Sequence, residues 1–278
     1  MASSGYPEAN LPSFNHDASF VRTEPPNPGY KFGDRVDATP EGRKWLEGEK
    51  EGWKTIDLSK ETARDIYALM LTGVYPRPVA FVSSVSETGV ENIAPFRGFS
   101  YFNSVTANPP TISISANIGT DGEKDTSRNI KATKGFTVNI ISEPWIQQAN
   151  AACINCPKDV SEWAITGLTK APSIHVKAPR VRESAFSMEC ELQQVVEIAP
   201  EDKPDVPSTY LILGTVRYVH IRKDVLNERN VADPDKLKAI ARMGDISYTR
   251  ITEAFRLPRF DWKKEADGVQ HLLNTSNM

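Results

Sequence analysis

The sequence predicts a mainly β protein built around an antiparallel barrel. Two of its predicted strands are long, and the connections between strands are irregular instead of regularly helical. A doubly wound α/β sheet would need a helix after nearly every strand. The predicted strands are 79–85, 111–116, 136–142, 186–198 and 211–221, with a β-bulge expected at Gly214.

Short helices are predicted between and beside the strands. The first is capped by Ser59, ends at Gly73 and presents an apolar face made of Ile66, Leu69 and Met70. Two more are predicted at 126–133 and at 233–244, and Asp233 is the expected N-cap of the latter. These helices are additions to the barrel.

Three regions follow from composition: an N-terminal arm (1–56), a main domain (57–260) and a polar tail (261–278) that is expected to fray. The arm is rich in Pro and Gly, with a short helix possible in EGRKWLEGE, and its alternative is a disordered segment. We favour an ordered arm that packs on its own barrel or on a partner subunit. The reason is that the arm carries the aromatic residues Tyr30, Phe32, Trp45 and Trp53, which a solvated tail rarely does.

Composition excludes several classes of protein. The 278 residues are 39% hydrophobic and 25% charged, with a net charge of −3, which is not that of a nucleic-acid-binding protein. No apolar run approaches the ~20 residues of a membrane span, and the N-terminus lacks the pattern of a secretory signal. The three cysteines fit a reducing compartment, so a cytoplasmic location is expected.

The segment GTDGEKDTSRNI (119–130) carries the most chemical information. Its glycines allow a tight turn, and Asp125 or Thr126 can cap the helix that follows. Helix N-termini attract phosphate, and Lys124, Arg128 and the Thr126 hydroxyl add donors there. The alternative is an ordinary capped surface helix.

Two further segments suit a flat, anionic ligand. Residues 91–105 lack strict alternation, which predicts a loop whose backbone and aromatics line a ring; the alternative is a hydrophobic turn in the core. Arg77 lies between two prolines at the start of a strand, where a rigid guanidinium can meet an anion. Its alternative is a surface Arg in a Pro-rich turn.

Other motifs point to no chemistry. The sequence contains no GxGxxG, no GxxxxGK[ST], no hydrolase elbow and no HExxH. A single Cys153-x-x-Cys156 without a second pair is poor evidence for zinc, and a thioredoxin-type role would need a βαβ context. No metal site is predicted, and His220 is interpreted as structural.

The ordered blocks of the chain resemble the flavin reductase-like, FMN-binding split-barrel family. The blocks are YPRPVAFVSSV, NIAPF, SYFN, NPP, EKDTSRNI, FTVNI, EWAITGLT, APRVRESAFSMECEL, LGTVRYVHI and ARMGDISYTR. They span about residues 57–260. The resemblance implies a six-stranded antiparallel Greek-key split barrel, usually a homodimer with one FMN per subunit.

The resemblance also implies the positions that contact FMN. For the phosphate end they are Lys124, Asp125, Thr126 and Asn129, for the ribityl chain or the phosphate Arg77, and for strand-end hydroxyl contacts Ser83 and Ser115. For the isoalloxazine ring they are Asn92, Ala94, Pro95, Phe96, Phe99, Ser100, Tyr101, Phe102 and Asn103. Arg97-Gly98 departs from the usual family pattern and places an added cation near the ring, or in solvent.

The implied activity is transfer of hydride from NAD(P)H to bound FMN, then of electrons to free flavin, oxygen or a small organic substrate. Three functions remain open at this stage. The chain is a flavin reductase that supplies a partner monooxygenase, an FMN-dependent oxidoreductase or oxygenase with its own substrate, or a non-catalytic flavin-binding protein.

Overall fold

A computed structural model describes residues 11–96, 102–119, 122–154, 156–157, 160–244 and 246–275, with backbone alone at 271 and 273–275. The described chain forms two compact units. One contains Ala63–Ile251 together with the described residues up to Phe14, and the other contains Asn15–Thr62 with the described residues from Thr252 onward. The division into 1–56, 57–260 and 261–278 stays a prediction.

The strands, in chain order, are β1 Val21–Thr23, β2 Arg77–Pro78, β3 Ala80–Val85, β4 Glu91–Phe96, β5 Phe102–Ala107, β6 Pro110–Asn117, β7 Gly135–Ile140, β8 Lys170–Ala171, β9 Arg180–Val181, β10 Phe186–Ile198, β11 Thr209–Ile221, β12 Ile240–Arg242, β13 Tyr248–Arg250 and β14 Glu253–Phe255. The α-helices are α1 Pro40–Leu46, α2 Ala63–Gly73, α3 Asp125–Thr133, α4 Ile146–Ala151, α5 Trp163–Thr166, α6 Pro234–Leu237 and α7 Trp262–Thr275. Short 3₁₀ turns cover Val36–Ala38, Glu47–Glu51, Leu58–Lys60, Glu143–Trp145 and Lys223–Val225.

The larger unit is organised by one antiparallel sheet. Within the described residues it has seven strands in the order β4-β3-β7-β10-β11-β6-β5, one more than the six that the resemblance implies. Every neighbouring pair is antiparallel. The predicted mainly β, antiparallel class is therefore confirmed.

The sheet is covered on both faces. Ala80 and Val82 pack into one apolar cluster together with Phe136 and Ile212, whereas Phe81 packs into a second cluster with Trp145 from the segment before α4. All six residues of β3 are buried for this reason. Burial on both faces explains why the 79–85 run is continuously apolar or small instead of alternating.

Gly214 on β11 allows close packing at the centre of the sheet. A Cβ at this position would lie 2.5 Å from Cζ of Phe136, a distance that side chains do not tolerate. Gly214 pairs with Leu192, and the register of β10 against β11 shifts directly after that pair, between Leu192 and Gln194. The bulge expected at Gly214 therefore lies beside it, on the opposing strand.

Helix α2 begins later than predicted. Ser59 belongs to a 3₁₀ turn that is capped by Asp57, and both the backbone N–H and the hydroxyl of Ser59 donate to Asp57 Oδ1. The helix starts at Ala63, and its buried residue is Leu71, while Leu69 and Met70 are exposed. Ser59 does not cap α2 because the Asx-type turn at Asp57 already satisfies both donors of Ser59.

The predicted helix 233–244 is wrong beyond its first turn. Asp233 does cap α6, accepting from Asp235 N at 3.0 Å, but Lys238 adopts a left-handed φ of 49° and ends the helix. The following residues form β12, which pairs with β2 and β13. Strand partners distant in sequence override the local helical pattern here.

The loop predicted for 91–105 is also corrected, because its two ends are strands β4 and β5. Strand β4 pairs with all six residues of β3. The loop prediction was wrong because β3 and β6 supply hydrogen-bond partners for the backbone of β4 and β5, and the irregular side-chain pattern gives no sign of this pairing. Residues 97–101 of this segment lie outside the described residues.

The smaller unit brings Asn15–Thr62 together with the described residues from Thr252 onward. Strands β1 and β14 pair in parallel, the rings of Phe32 and Phe260 lie 4.6 Å apart, and Leu272 of α7 packs against Gly33. Residues Trp262–Thr275 form the helix α7, and the expected fraying of this segment stays a prediction. The short helix predicted in EGRKWLEGE is confirmed as α1 and the turn after it.

Candidate functional site

A cleft of about 460 Å³ lies in the larger unit, between β4, the start of α3, the end of α4 and the segment before α5. Its lining residues are Asn92, Ala94, Pro95, Gly119, Gly122, Glu123, Lys124, Asp125, Thr126, Ala152, Cys153, Ile154, Cys156, Pro157 and Glu162. The structure therefore gathers six of the residues predicted from sequence into one cavity. A second cavity of about 400 Å³, lined by Trp145, Arg222 and Lys238 among others, contains none of them.

The start of α3 borders this cleft. Lys124 is the N-cap residue, with extended backbone, and its side chain makes no capping hydrogen bond. Just before it, Gly119 and Gly122 exchange backbone hydrogen bonds of 3.1 and 3.0 Å, and Gly122 takes a φ of 94° that glycine accepts without strain. The first N–H groups of the helix and the positive end of its dipole thus border the cavity.

Lys124 contributes a positive charge at the same place. Its Nζ lies 5.9 Å from the centre of the Phe96 ring, at the edge of the core. Burial lowers the pKa of Lys124, and attraction to Cys153 opposes this effect. By solvent accessibility Lys124 is exposed, so an incoming anion can reach its ammonium group.

The neighbouring carboxylates are neutralised by partners of their own. Glu123 pairs with Lys131 at 2.9 Å, and Asp125 is in contact with Arg128. The positive contribution of Lys124 and of the helix N-terminus is therefore not cancelled by either acid.

A buried hydrogen-bond network holds α3 against the sheet. Asn92 accepts from Thr126 Oγ1 at 2.9 Å and donates to Glu162 Oε2 at 2.9 Å, and Asn129 donates to the Ser84 hydroxyl at 3.2 Å. The side chains of Asn92, Thr126 and Asn129 are almost fully buried. They orient the helix that borders the cleft, and Asn129 itself is not among the lining residues.

Glu162 is a site residue that the sequence reasoning did not single out. Its Oε2 also accepts from Ile93 N at 3.3 Å. Burial raises the pKa of Glu162, whereas the hydrogen bonds from Ile93 and Asn92 act in the opposite direction. The residue opens the EWAITGLT block, and the one available signal was an acid at the start of an otherwise apolar segment.

Arg77 is buried instead of lying in a surface turn. It is 5% exposed, and its Nη2 donates to the carbonyl of Met243 at 2.7 Å, which ties β2 to the end of β12. It does not line the cleft. Its predicted approach to an anion stays a prediction.

The remaining predicted positions are spread along the sheet. Ser83 and Phe96 are buried in β3 and β4, Ser115 is buried in β6, Phe102 is half-buried and Asn103 is exposed in β5. None of these five lines the cleft. Phe99, Ser100 and Tyr101, together with Arg97-Gly98, lie outside the described residues, so their ring contacts stay predictions.

Two further observations concern the part of the chain that the structure describes. No cluster of three or more His, Cys, Asp or Glu side chains there is arranged to hold a metal ion. None of the described helices combines the length and the apolar character that crossing a bilayer requires.

The fold is that of a mainly β protein with a large antiparallel sheet, and a cleft borders the start of one of its helices. The chain matches the model of the flavin reductase like domain over residues 71–272, and it belongs to that family. Membership places it among flavin-related oxidoreductases.

Individual relatives agree with this assignment. A protein of Halalkalibacterium halodurans without an assigned function is 34% identical over 197 residues, covering 70% of this chain and 91% of that protein. The structure of nitrilotriacetate monooxygenase component B from Bacillus cereus is 33% identical, with a TM-score of 0.69, covering 74% of this chain and 99% of that one. A Shewanella frigidimarina protein described as a flavin reductase with a split barrel domain shares the fold, with a TM-score of 0.64, 20% identity and coverage of 75% and 100%.

Proposed function

We propose that this chain is an FMN-dependent oxidoreductase that takes hydride from NAD(P)H and passes the electrons to free flavin, oxygen or a small organic substrate. The observation that carries the proposal is the meeting of Lys124 and the uncapped N-terminus of α3 in a cleft of about 460 Å³. That volume lies within the roughly 300–1,000 Å³ of small-molecule sites.

The residues present fit FMN at its phosphate end. A phosphate suits the first N–H groups of α3, and the Lys124 ammonium adds a charge-assisted hydrogen bond. Asn92 and Thr126 fix the direction of the helix N-terminus through their mutual hydrogen bond. Each of these groups is in place before any ligand arrives, so little ordering would oppose binding.

The wall of the cleft suits a flat ring. Ala94 and Pro95 offer small, rigid apolar surface along β4 beside the cavity. Bound FMN would supply the chemistry of the reaction, which is acceptance and donation of a hydride equivalent. The chain's own contribution is to hold the phosphate, to shape the wall and to limit access of water.

A second candidate is a reductase component that delivers reduced flavin to a partner monooxygenase. It is favoured by the 33% identity to nitrilotriacetate monooxygenase component B over nearly the whole of that chain. In this version the flavin is exchangeable and acts as a substrate. We also propose a homodimer, on the resemblance to the family.

Anaerobic reduction tests the proposal. The protein, loaded with FMN, is mixed with NADH or NADPH without oxygen while the visible flavin bands are recorded. We expect the bands to bleach, and the faster nucleotide identifies the donor. Bands that persist with both nucleotides would contradict nicotinamide as the donor, and failure to take up FMN would contradict the flavin site itself.

Turnover with excess free flavin separates the two candidates. A reductase component reduces many equivalents of added FMN, with a rate that depends on the free flavin concentration. An oxidoreductase with resident FMN oxidises NAD(P)H at a rate that added flavin leaves unchanged.

A further inference from the structure

Two cysteines to which the sequence analysis assigned no chemistry lie in the wall of the cleft. Cys153 is exposed and Cys156 is half-buried, and both line the cavity. They follow α4, where Cys153 N donates to Asn150 O at 3.0 Å and Cys156 N donates to Ile154 O at 3.1 Å. A third cysteine, Cys190, is fully buried in the core.

The surroundings of the two thiols differ. Cys153 is close enough to Lys124 for their attraction to raise the pKa of that lysine against the effect of burial. A neighbouring ammonium favours the thiolate, which is the nucleophilic form of cysteine. For Cys156, burial and the nearby Glu162 raise the pKa of the thiol, so it stays protonated.

An exposed thiol beside a cation, three positions from a second thiol, is the arrangement of a peroxide-sensitive pair. We propose that Cys153 and Cys156 are a redox modification site, in which hydrogen peroxide converts the two thiols to a disulfide and thereby strengthens the hold of the cleft on FMN. The second part rests on the proposed function.

The oxidation balances with peroxide as the oxidant. The Cys153 thiolate attacks one peroxide oxygen, the O–O bond breaks, and the leaving hydroxide takes a proton to become water. The resulting sulfenic acid is attacked at sulfur by Cys156, the S–S bond forms, and a second water leaves. Two thiols and one peroxide give one disulfide and two waters, with two electrons transferred from sulfur to oxygen.

The effect on FMN follows from charge. In the reduced pair, a thiolate at Cys153 competes with phosphate for Lys124, whereas a disulfide carries no charge. Removing one partly exposed charge of the same sign as the phosphate corresponds to roughly two- to fivefold tighter binding. The change is confined to the phosphate end, because Lys124 and Cys153 are both there.

The test uses the full chain in two separate measurements. The first is a thiol count in denaturant, with intact mass, before and after peroxide. We expect three thiols before and one after, together with the loss of two hydrogen atoms in mass and recovery of all three thiols by dithiothreitol. The single variants Cys153→Ser and Cys156→Ser should form no intramolecular disulfide. A count that stays at three, or loss of the Cys190 thiol instead, would overturn the proposal.

The second measurement is FMN affinity by fluorescence titration for reduced protein, oxidised protein and the Cys153→Ser/Cys156→Ser double variant. We expect the oxidised protein to bind two- to fivefold more tightly than the reduced one, and the double variant to match the oxidised protein with or without peroxide. Unchanged or weaker binding after oxidation would overturn the effect on the cofactor. If reduced protein takes up no FMN at all, the proposed function fails, while the thiol count still decides whether the pair is a modification site.

Discussion

Asn92 Nδ2 donates to Glu162 Oε2 at 2.9 Å, and this contact joins β4 to the residue before α5 across the base of the cleft. The same amide accepts from Thr126 at the start of α3 through its oxygen. One side chain thus ties together three of the elements that bound the cavity.

Replacing Glu162 with Gln should stabilise the protein at neutral pH. Burial raises the pKa of Glu162 above its ordinary value of 4.5, so the folded state binds this proton more tightly than the unfolded state. Such a group contributes stability below its unfolded pKa, and that contribution is lost as the pH rises through the folded pKa. The free energy of unfolding of Glu162→Gln should therefore decrease less than that of the wild type as the pH rises. Denaturant unfolding of both proteins from pH 4 to pH 8 measures this difference. The exposed Glu201→Gln is the control, and an unchanged pH profile would contradict the prediction.

Lys124→Ala should weaken FMN binding by about 1.5–3 kcal/mol, the usual size of a charge-assisted hydrogen bond. Lys134→Asn provides a matched control, because Lys134 is exposed at the opposite end of the same helix and asparagine tolerates its φ of 64°. Fluorescence titration of both variants measures the effect. Equal affinities would show that the phosphate binds elsewhere.

Gly214→Ala should destabilise the larger unit by about 1–3 kcal/mol, because the new methyl group would overlap the Phe136 ring and force the core to shift. Gly73→Ala is the comparison, since no atom lies within 4 Å of a Cβ at that position. Urea unfolding distinguishes the two. A Gly214→Ala variant as stable as the wild type would mean that the sheet adjusts without cost.

Glu189→Gln should destabilise the protein, most strongly above pH 5. The buried carboxylate accepts backbone hydrogen bonds from Ile174, His175 and Val176, and His220 Nε2 lies 2.6 Å from it. Burial raises the pKa of Glu189, but these bonds together bring it below 4.5. The stabilisation is present above that ordinary value and is lost as the pH falls through the folded pKa.

The expected loss at neutral pH for Glu189→Gln is about 1.5–3 kcal/mol, since hydrogen bonds to a charged acceptor are removed. The free energy of unfolding of the variant should also decrease less steeply than that of the wild type from pH 7 down to pH 3. A loss that is equally large at pH 3 and at pH 7 would argue that packing and not ionisation is responsible.

The sequence was most informative where local pattern and tertiary structure agree. The predicted strand 186–198 coincides with β10, and the predicted strand 211–221 ends where β11 ends. The helix predicted at 126–133 is α3, which begins at Asp125, but its N-cap is Lys124 and not Asp125 or Thr126. Six of the predicted positions meet in one cleft.

Elements whose state depends on distant partners could not be predicted. Ile240–Arg242 forms a strand because β2 and β13 lie beside it, although its residues fit the end of a helix. Glu162 was not singled out, and the two cysteines of the cleft were given no role, because they lie some distance along the chain from Lys124 and only folding of α4 and α5 brings them there. The contact of Asn129 with the phosphate stays a prediction; in the structure its amide donates to the Ser84 hydroxyl.

The most direct test of the flavin site is a comparison of FMN with riboflavin, which lacks the phosphate, in equilibrium titrations of the wild-type protein and Lys124→Ala. We expect the wild type to bind FMN far more tightly than riboflavin, and Lys124→Ala to lose a large part of that difference while its riboflavin affinity is unchanged. Equal affinity of the wild type for the two flavins, or no binding of either, would contradict a phosphate site at the N-terminus of α3.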